Sequence, residues 1–327
     1  MDAFSNNILR VAIVVCLIPV GLTGCKASGN DSSGAATQPP FMTASAPPQT
    51  LDDAPPPEKT GGFDGKRAFA HVARQVAFGP HPAGSPAILQ VQDYIQSELK
   101  SYGCAVETDA FSADTPAGRL PMKNILVKIP GEKPGVILLG THYDTKRLDN
   151  FVGADDGGSS TAVMLELARL LCGQHNKYAV WIAFFDAEEA VNWEWKDPDN
   201  CYGSRQMAAK LSASGDLGKV KAFLLADIVG TKALRIKRES KSTRSLADLV
   251  WTTAAKLGYS GIFVDNATPV EDDHNSFLKR NVPSVDVIDL EIPYWHTTQD
   301  ALDKISANSL AIVGHVFLES VKQVQSK

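Results

Sequence analysis

Two hydrophobic periods alternate along most of this chain. Residues 67–76 read as a helix, broken by Gly79-Pro80-His81-Pro82. Ile88, Val91, Tyr94, Ile95 and Leu99 then recur at helical spacing within residues 84–103. Residues 105–108 give a short extended stretch. Residues 124–129 and 135–140 are short, rich in β-branched side chains and bounded by Pro130-Gly131 and Gly140, so both predict strands. The helical period returns beyond residue 158 and runs to Leu171. Residues 178–185 form an unbroken apolar run, the pattern of a strand covered on both faces. Helices are expected at 203–213, 243–257 and 306–324, and strands at 220–227 and 282–289. Strands alternating with helices of this length predict an α/β fold, a three-layer α/β/α sandwich with a mostly parallel mixed central sheet. Ligands of such sheets collect outside the carboxyl ends of the strands.

The first 60 residues have a different character. Residues 11–22 are an apolar run too short to span a bilayer and of the length of a signal-peptide core. The run ends in Leu22-Thr23-Gly24-Cys25, which resembles a bacterial lipobox, although Asp2 offsets Arg10 in the segment before it. That resemblance implies a signal peptide over 1–24, a lipidated Cys25, and residence in the bacterial cell envelope. Lys26 after the cysteine implies the outer membrane, facing the periplasm or the exterior. Residues 25–60 are Ala, Ser, Pro, Gly, Thr and Asp with little to bury, including Pro55-Pro56-Pro57, and read as a disordered tether. A single domain is expected over 61–327.

The chain's 327 residues are long enough for one large core without covalent staples. With 32 basic against 37 acidic side chains and a net charge of −5, it has no cation surplus for phosphates, so no nucleic-acid partner is expected. Cys16 and Cys25 fall in the leader, leaving Cys104, Cys172 and Cys201 for the domain, and no disulfide framework is implied. A monomer is expected.

The polar residues that follow the apolar strands carry the chemistry. Thr141-His142-Tyr143-Asp144 follows one strand, Gly153-Ala154-Asp155-Asp156-Gly157-Gly158 the next turn, and Asp186-Ala187-Glu188-Glu189 another strand. Strand 220–226 runs into Asp227, and the last strand leads to Trp295-His296-Thr297. Each group taken singly reads as a surface pair or a cap. Together at one sheet edge, several carboxylates and two imidazoles would repel and desolvate one another without a cation. Nitrogen and oxygen donors without thiolate suit catalytic zinc. The Gly-x-Gly-x-x-Gly, Walker, Gly-x-Ser-x-Gly and His-Glu-x-x-His patterns are absent from the sequence.

The set HYD at 142–144, GADDGGSS at 153–160, FFDAEE at 184–189, YGSR at 202–205, LLADIVG at 224–230, EDDH at 271–274 and YWHT at 294–297 resembles the zinc-dependent glutaminyl cyclases, single-zinc relatives of the M28 aminopeptidases. The resemblance covers about residues 66–325 and implies a zinc aminopeptidase-like fold. It implies that the protein converts amino-terminal glutaminyl residues of peptides or proteins to pyroglutamate with release of ammonia. It further implies one zinc per protein molecule, held by Asp156, Glu189 and His296, with Glu188 as acid/base and Asp272 and Asp227 as a supporting acidic network. Trp193, Trp295 and Ile292 correspond to pocket walls, Lys146 and His274 to residues near the substrate, and the Asp156–Gly157 peptide to a cis bond. Where animal cyclases carry a cysteine before HYD this protein has Gly140, and its segment 291–295 is shorter than theirs. Two alternatives stay open. A zinc aminopeptidase would use a second zinc at His142 and Asp227, and a lipid-tethered binding protein would keep the fold without activity.

Overall fold

A computed structural model describes residues 54–327. The apolar leader and Cys25 lie outside the described residues. The element order is α1 (Gly65–Val76), α2 (Pro86–Ser101), β1 (Val106–Thr115), β2 (Gly118–Ile129), β3 (Gly131–His142), α3 (Gly158–Leu171), β4 (Asn176–Phe185), α4 (Tyr202–Ser214), β5 (Val220–Asp227), β6 (Ile236–Glu239), α5 (Arg244–Lys256), β7 (Phe263–Thr268), α6 (His274–Leu278), β8 (Ser284–Ile288) and α7 (Ala307–Ser326). Side-chain caps set the starts of α1, α2 and α7. The Asp64 carboxylate accepts from the Lys66 and Arg67 amides ahead of α1, and Ser85 Oγ accepts from the Ile88 amide ahead of α2, whose first residue is Pro86.

The main sheet has the order β1-β2-β4-β3-β5-β8. Strands β4, β3, β5 and β8 run parallel, and the β1–β2 hairpin joins antiparallel through β2 against β4. The pleat sends alternate side chains to opposite faces. Ile137 and Leu139 of β3 pack in a core with α1, α2, α3, α5 and α7, while Val136 and Leu138 pack in a second core with Met207, Ala208 and Leu211 of α4 and Phe277 of α6. This is the three-layer arrangement the pattern predicts. Among the described residues no helix is long and apolar enough to cross a membrane.

The structure departs from the sequence pattern in several places. Thr60, just before the boundary expected at 61, is buried and its Oγ1 donates to the Phe63 carbonyl at 2.6 Å. The first hairpin extends to Thr115 and back from Gly118, beyond the short stretch expected at 105–108. Its outer strand β1 sits at the sheet edge with no buried position, so it lacks an apolar signature. A separate two-stranded parallel sheet, β6–β7, and the one-turn helix α6 are too short for periodicity to mark.

Cys104 and Cys172 form a disulfide with a Cα–Cα distance of 5.4 Å, a single bond where the sequence implied no disulfide framework. The bond ties the segment after α2 to the end of α3 across a sequence separation of 68, a pairing that only the fold brings together. Gly140 passes Phe223 so closely that a Cβ there would lie 2.5 Å from Cε2, leaving no room for a cysteine at this position unless Phe223 moves.

Closing a loop of this length removes denatured-state entropy worth about 4 kcal/mol in the chain-entropy model, and measured values cluster at about 2–4 kcal/mol. The Cys104→Ser/Cys172→Ser double variant is therefore expected to lose about 2–4 kcal/mol of unfolding free energy in urea while keeping its far-ultraviolet circular dichroism. An unmoved urea midpoint would remove the disulfide from the account of stability.

Candidate active site

The parallel strands place their carboxyl ends along one edge. There β3 ends in His142, β4 leads into Asp186-Ala187-Glu188-Glu189, β5 ends in Asp227, and the loop after β8 carries His296. The β3–α3 loop brings Asp155 and Asp156 to the same edge. The turn after Asp156 uses Gly157 at φ +80°, where a Cβ would lie 2.9 Å from His142 Cε1. The Asp156–Gly157 peptide is trans, a correction to the cis bond expected; the cis bond of the described residues is Asp197–Pro198.

Donor atoms of Asp156, Glu189 and His296 lie within 4.8 Å of one another. His296 Nε2 is 3.1 Å from Glu189 Oε1 and 3.4 Å from Asp156 Oδ2. Asp156 Oδ2 and Glu189 Oε2 are buried and accept no hydrogen bond. Behind them, Asp300 accepts from the Asp155 and Asp156 amides at 2.7 and 3.0 Å, and Asp144 accepts from the Glu188 and Glu189 amides at 3.0 and 3.4 Å. The carboxylates of the site are thus aimed by other carboxylates gripping their backbone. Ala187, Cys201, Ile228 and His296 all adopt positive φ without being glycine, so backbone strain concentrates around the site.

Burial pushes the Glu188 carboxyl well above the usual range, with His142 opposing and Asp272 adding to the rise. Burial raises Asp272 to about 7, and Asp227 reinforces it. Burial also raises Asp227, against the pull of His142, whose Nε2 lies 3.0 Å from Asp227 Oδ1. Asp156 goes the other way: burial would raise it, yet the imidazoles of His142 and His296, 3.3 and 3.4 Å from its oxygens, hold it below the ordinary range. Burial would lower His296, but Asp156 and Glu189 bring it to about 9. This balance is an excess of buried negative charge, and a divalent cation would relieve it. The orphaned oxygens of Asp156 and Glu189 beside the His296 imidazole form a nitrogen and oxygen donor set that fits zinc. Donors of His142, Asp156 and Asp227 also lie within 4.8 Å of one another.

These acids floor a cavity of about 360 Å³. Trp195, Val270, Ile288, Leu290 and Trp295 line it as well, with the Trp295 ring stacked on His296 at 3.9 Å. Several expected wall residues lie elsewhere. Trp193 is 65% exposed, with its ring edge-on to His296 at 6.1 Å, and does not line the cavity. Ile292 is buried in an apolar cluster with Ile228, Val270, Ile288 and Tyr294, so it supports the wall from behind. Lys146 is buried, donating from Nζ to the Ala190 and Asn192 carbonyls, and stands 3.5 Å from Glu189 Oε2. His274 is buried against Glu239 at 3.1 Å and Asp286 at 3.7 Å. These two residues stand behind the substrate cavity rather than in it. Trp195, Val270 and Leu290 were not singled out by the sequence, because they sit on irregular loops where no period tells which side chain turns inward. Asp144, Asp155 and Asp300 were visible as acids near the motifs, but their part in orienting backbone amides needs the fold.

Residues 124–321 match peptidase family M28. The glutaminyl-peptide cyclotransferase of Drosophila melanogaster is 29% identical over 270 residues, 73% of this chain and 76% of the relative. A solved glutaminyl cyclase from an Acidobacteriales bacterium is 41% identical and superposes with a TM-score of 0.76, covering 86% of this protein and 98% of that one. The Porphyromonas gingivalis glutaminyl cyclase is 32% identical with a TM-score of 0.75, covering 80% and 99%. With the family match spanning more than half its length and relatives aligned almost end to end, the chain belongs to peptidase family M28, among the glutaminyl cyclases of that family.

Proposed function

We propose that this protein is a zinc-dependent glutaminyl-peptide cyclotransferase, which closes the amino-terminal glutaminyl residue of a peptide or protein into pyroglutamate and releases ammonia. The observation that carries the reading is the placing of Glu188 and Asp272, both buried, on the floor of an apolar-walled cavity next to the Asp156, Glu189 and His296 donors.

Zinc held by Asp156, Glu189 and His296 would supply Lewis acidity to the γ-carbonyl. Glu188 takes the proton from the attacking α-amine and returns it to the departing nitrogen, so the ring C–N bond forms as the C–N bond of the γ-amide breaks and ammonia leaves. A carboxyl raised by burial is suited to that exchange, because it binds a proton readily and gives it up again. Asp272 and Asp227 share the acidic network around Glu188 and orient the amide; their titration belongs to the group and not to one residue. Trp195, Trp295, Val270 and Leu290 hold the glutaminyl stem and keep bulk water from the carbonyl. Amine and carbonyl belong to one residue, so binding that residue brings both reactants together.

Zinc-loaded protein is expected to yield ammonia and pyroglutamyl product in equal amounts from a glutaminyl dipeptide, with kcat/KM rising toward the substrate amine's pKa of about 7.7–8.0, since only the neutral amine attacks. Trp295→Ala should keep its zinc and lose about 10–100-fold in kcat/KM. The second reading, a two-zinc aminopeptidase, draws on the His142, Asp156 and Asp227 donors. Release of leucine from a leucyl dipeptide, with no pyroglutamyl product from the glutaminyl one, would replace the first reading with the second.

The neighbouring glutamates are expected to separate by metal content. Glu189→Gln should lose zinc, while Glu188→Gln should retain about one zinc per molecule and lose about 10²–10⁴-fold in kcat. Elemental analysis of the two purified variants decides it, and the reverse pattern would exchange their roles.

We propose further that lipid on Cys25 holds the protein, as a monomer, at the bacterial outer membrane. Support comes from the apolar run ending in Leu22-Thr23-Gly24-Cys25, and the Cys104–Cys172 disulfide suits an oxidising compartment. Wild type should sediment with membranes and Cys25→Ala should not; equal partitioning of the two would end this reading.

A further inference from the structure

Cys201 is the free cysteine of the described residues, and it is buried. It precedes α4 at φ +46°, and its amide donates to the Glu188 carbonyl at 2.7 Å, which pins it beside the acid/base residue. Its Sγ, a carboxylate oxygen of Glu188 and one of Asp272 all lie within 4.8 Å of one another. Asp272 is 4% exposed, and its Oδ2 accepts no hydrogen bond. A second, smaller cavity of about 80 Å³ is lined by Cys201 and Asp272 with Asn200, Asn275 and Ser276. Asp272 borders both cavities, so small ions can approach this trio without crossing the Asp156, Glu189 and His296 donors.

We propose that Cys201, Glu188 and Asp272 form a second, inhibitory site for a thiophilic divalent cation, Zn²⁺ or Cd²⁺. One thiolate with two carboxylates is a donor set for these ions and a poor one for Mg²⁺ or Ca²⁺. A cation there also meets the buried Asp272 Oδ2, which accepts no hydrogen bond. Binding displaces the thiol proton to solvent and forms a metal–sulfur bond, with no change of oxidation state. It also occupies the Glu188 carboxylate, so the residue assigned to carry the proton can no longer do so. The inhibition rests on the cyclase reading given above, whereas the binding does not.

The test titrates CdCl₂ into full-length protein already holding one equivalent of zinc, alongside Cys201→Ser and Cys201→Ala. Cd–thiolate charge-transfer absorbance, bound metal per molecule and cyclisation rate are followed together. Wild type should gain the absorbance with one further equivalent of metal while its rate falls by about 100-fold or more, the scale of losing acid/base catalysis. Both variants should start at the wild-type rate, lack the absorbance gain and resist the added cadmium. Cys16 and Cys25 are present in all three proteins, so the difference spectrum belongs to Cys201. If one variant fails to fold, the difference spectrum against the other still isolates Cys201. Absence of a wild-type absorbance gain, or equal inhibition of variants and wild type, would overturn the site. A thiolate signal in protein that never cyclises glutamine would keep the site and remove the cyclase reading.

Discussion

Burial of excess negative charge at one edge of an apolar sheet is the constraint on which this structure depends. Asp156, Glu188, Glu189, Asp227 and Asp272 are each at most 6% exposed, and the cationic groups among them are His142, His296 and Lys146. Isolated carboxylates in such surroundings would take up protons or draw in water. Here the Asp156 oxygens lie 3.3 and 3.4 Å from the imidazoles of His142 and His296, while Glu188 has His142 Nδ1 at 3.8 Å, and it and Asp272 are pushed upward by burial. The environment thus divides chemically identical groups into a charged donor for a cation and carriers for a proton.

Holding that arrangement falls to backbone rather than to side-chain packing. Asp144 and Asp300 each use both carboxylate oxygens on two successive amides, fixing Glu188-Glu189 and Asp155-Asp156 as rigid pairs. Asp155 adds a bond to the Gly230 amide at 2.7 Å and accepts from the Tyr294 hydroxyl at 2.9 Å, tying the loop after β3 to those after β5 and β8. Parallel strands supply the platform, since their carboxyl ends all meet at one edge and crossover helices cover the faces. The left-handed residues Ala187, Ile228 and His296 are the local cost of turning the backbone sharply enough to face the centre.

Much of this was legible in the sequence because the strands at the centre of the sheet are covered on both faces. A strand such as β4 must then be continuously apolar, so the polar residues just beyond it stand out. Legibility fails wherever one side of an element faces solvent or the backbone is irregular. Strand β1 alternates between exposed and half-buried positions and shows no core signature. The loop between β4 and α4 carries Trp193 and Trp195 two residues apart; Trp195 lines the cavity and Trp193 is exposed, and in an irregular loop no period tells them apart. His274 and Lys146 read as site residues through the family resemblance, yet each is held by partners behind the wall. The Cys104–Cys172 pair illustrates the same limit, since helix ends far apart in sequence meet only through tertiary packing.

The family's two chemistries share one donor set, so the outcome turns on what stands around it. Hydrolysis needs a water placed and activated at the carbonyl, whereas ring closure needs the α-amine folded back onto the γ-carbonyl of the same residue with water kept away. The cavity is lined by its acids together with Val270, Ile288, Leu290, Trp195 and Trp295. Apolar lining beside proton-carrying acids favours a substrate that brings its own nucleophile. His142 Nε2 lies 3.0 Å from Asp227 and 3.3 Å from Asp156, so its imidazole stands against the very carboxylates that a second cation would need. What surrounds the shared donors, more than the identity of the ligands, is therefore what separates the two chemistries.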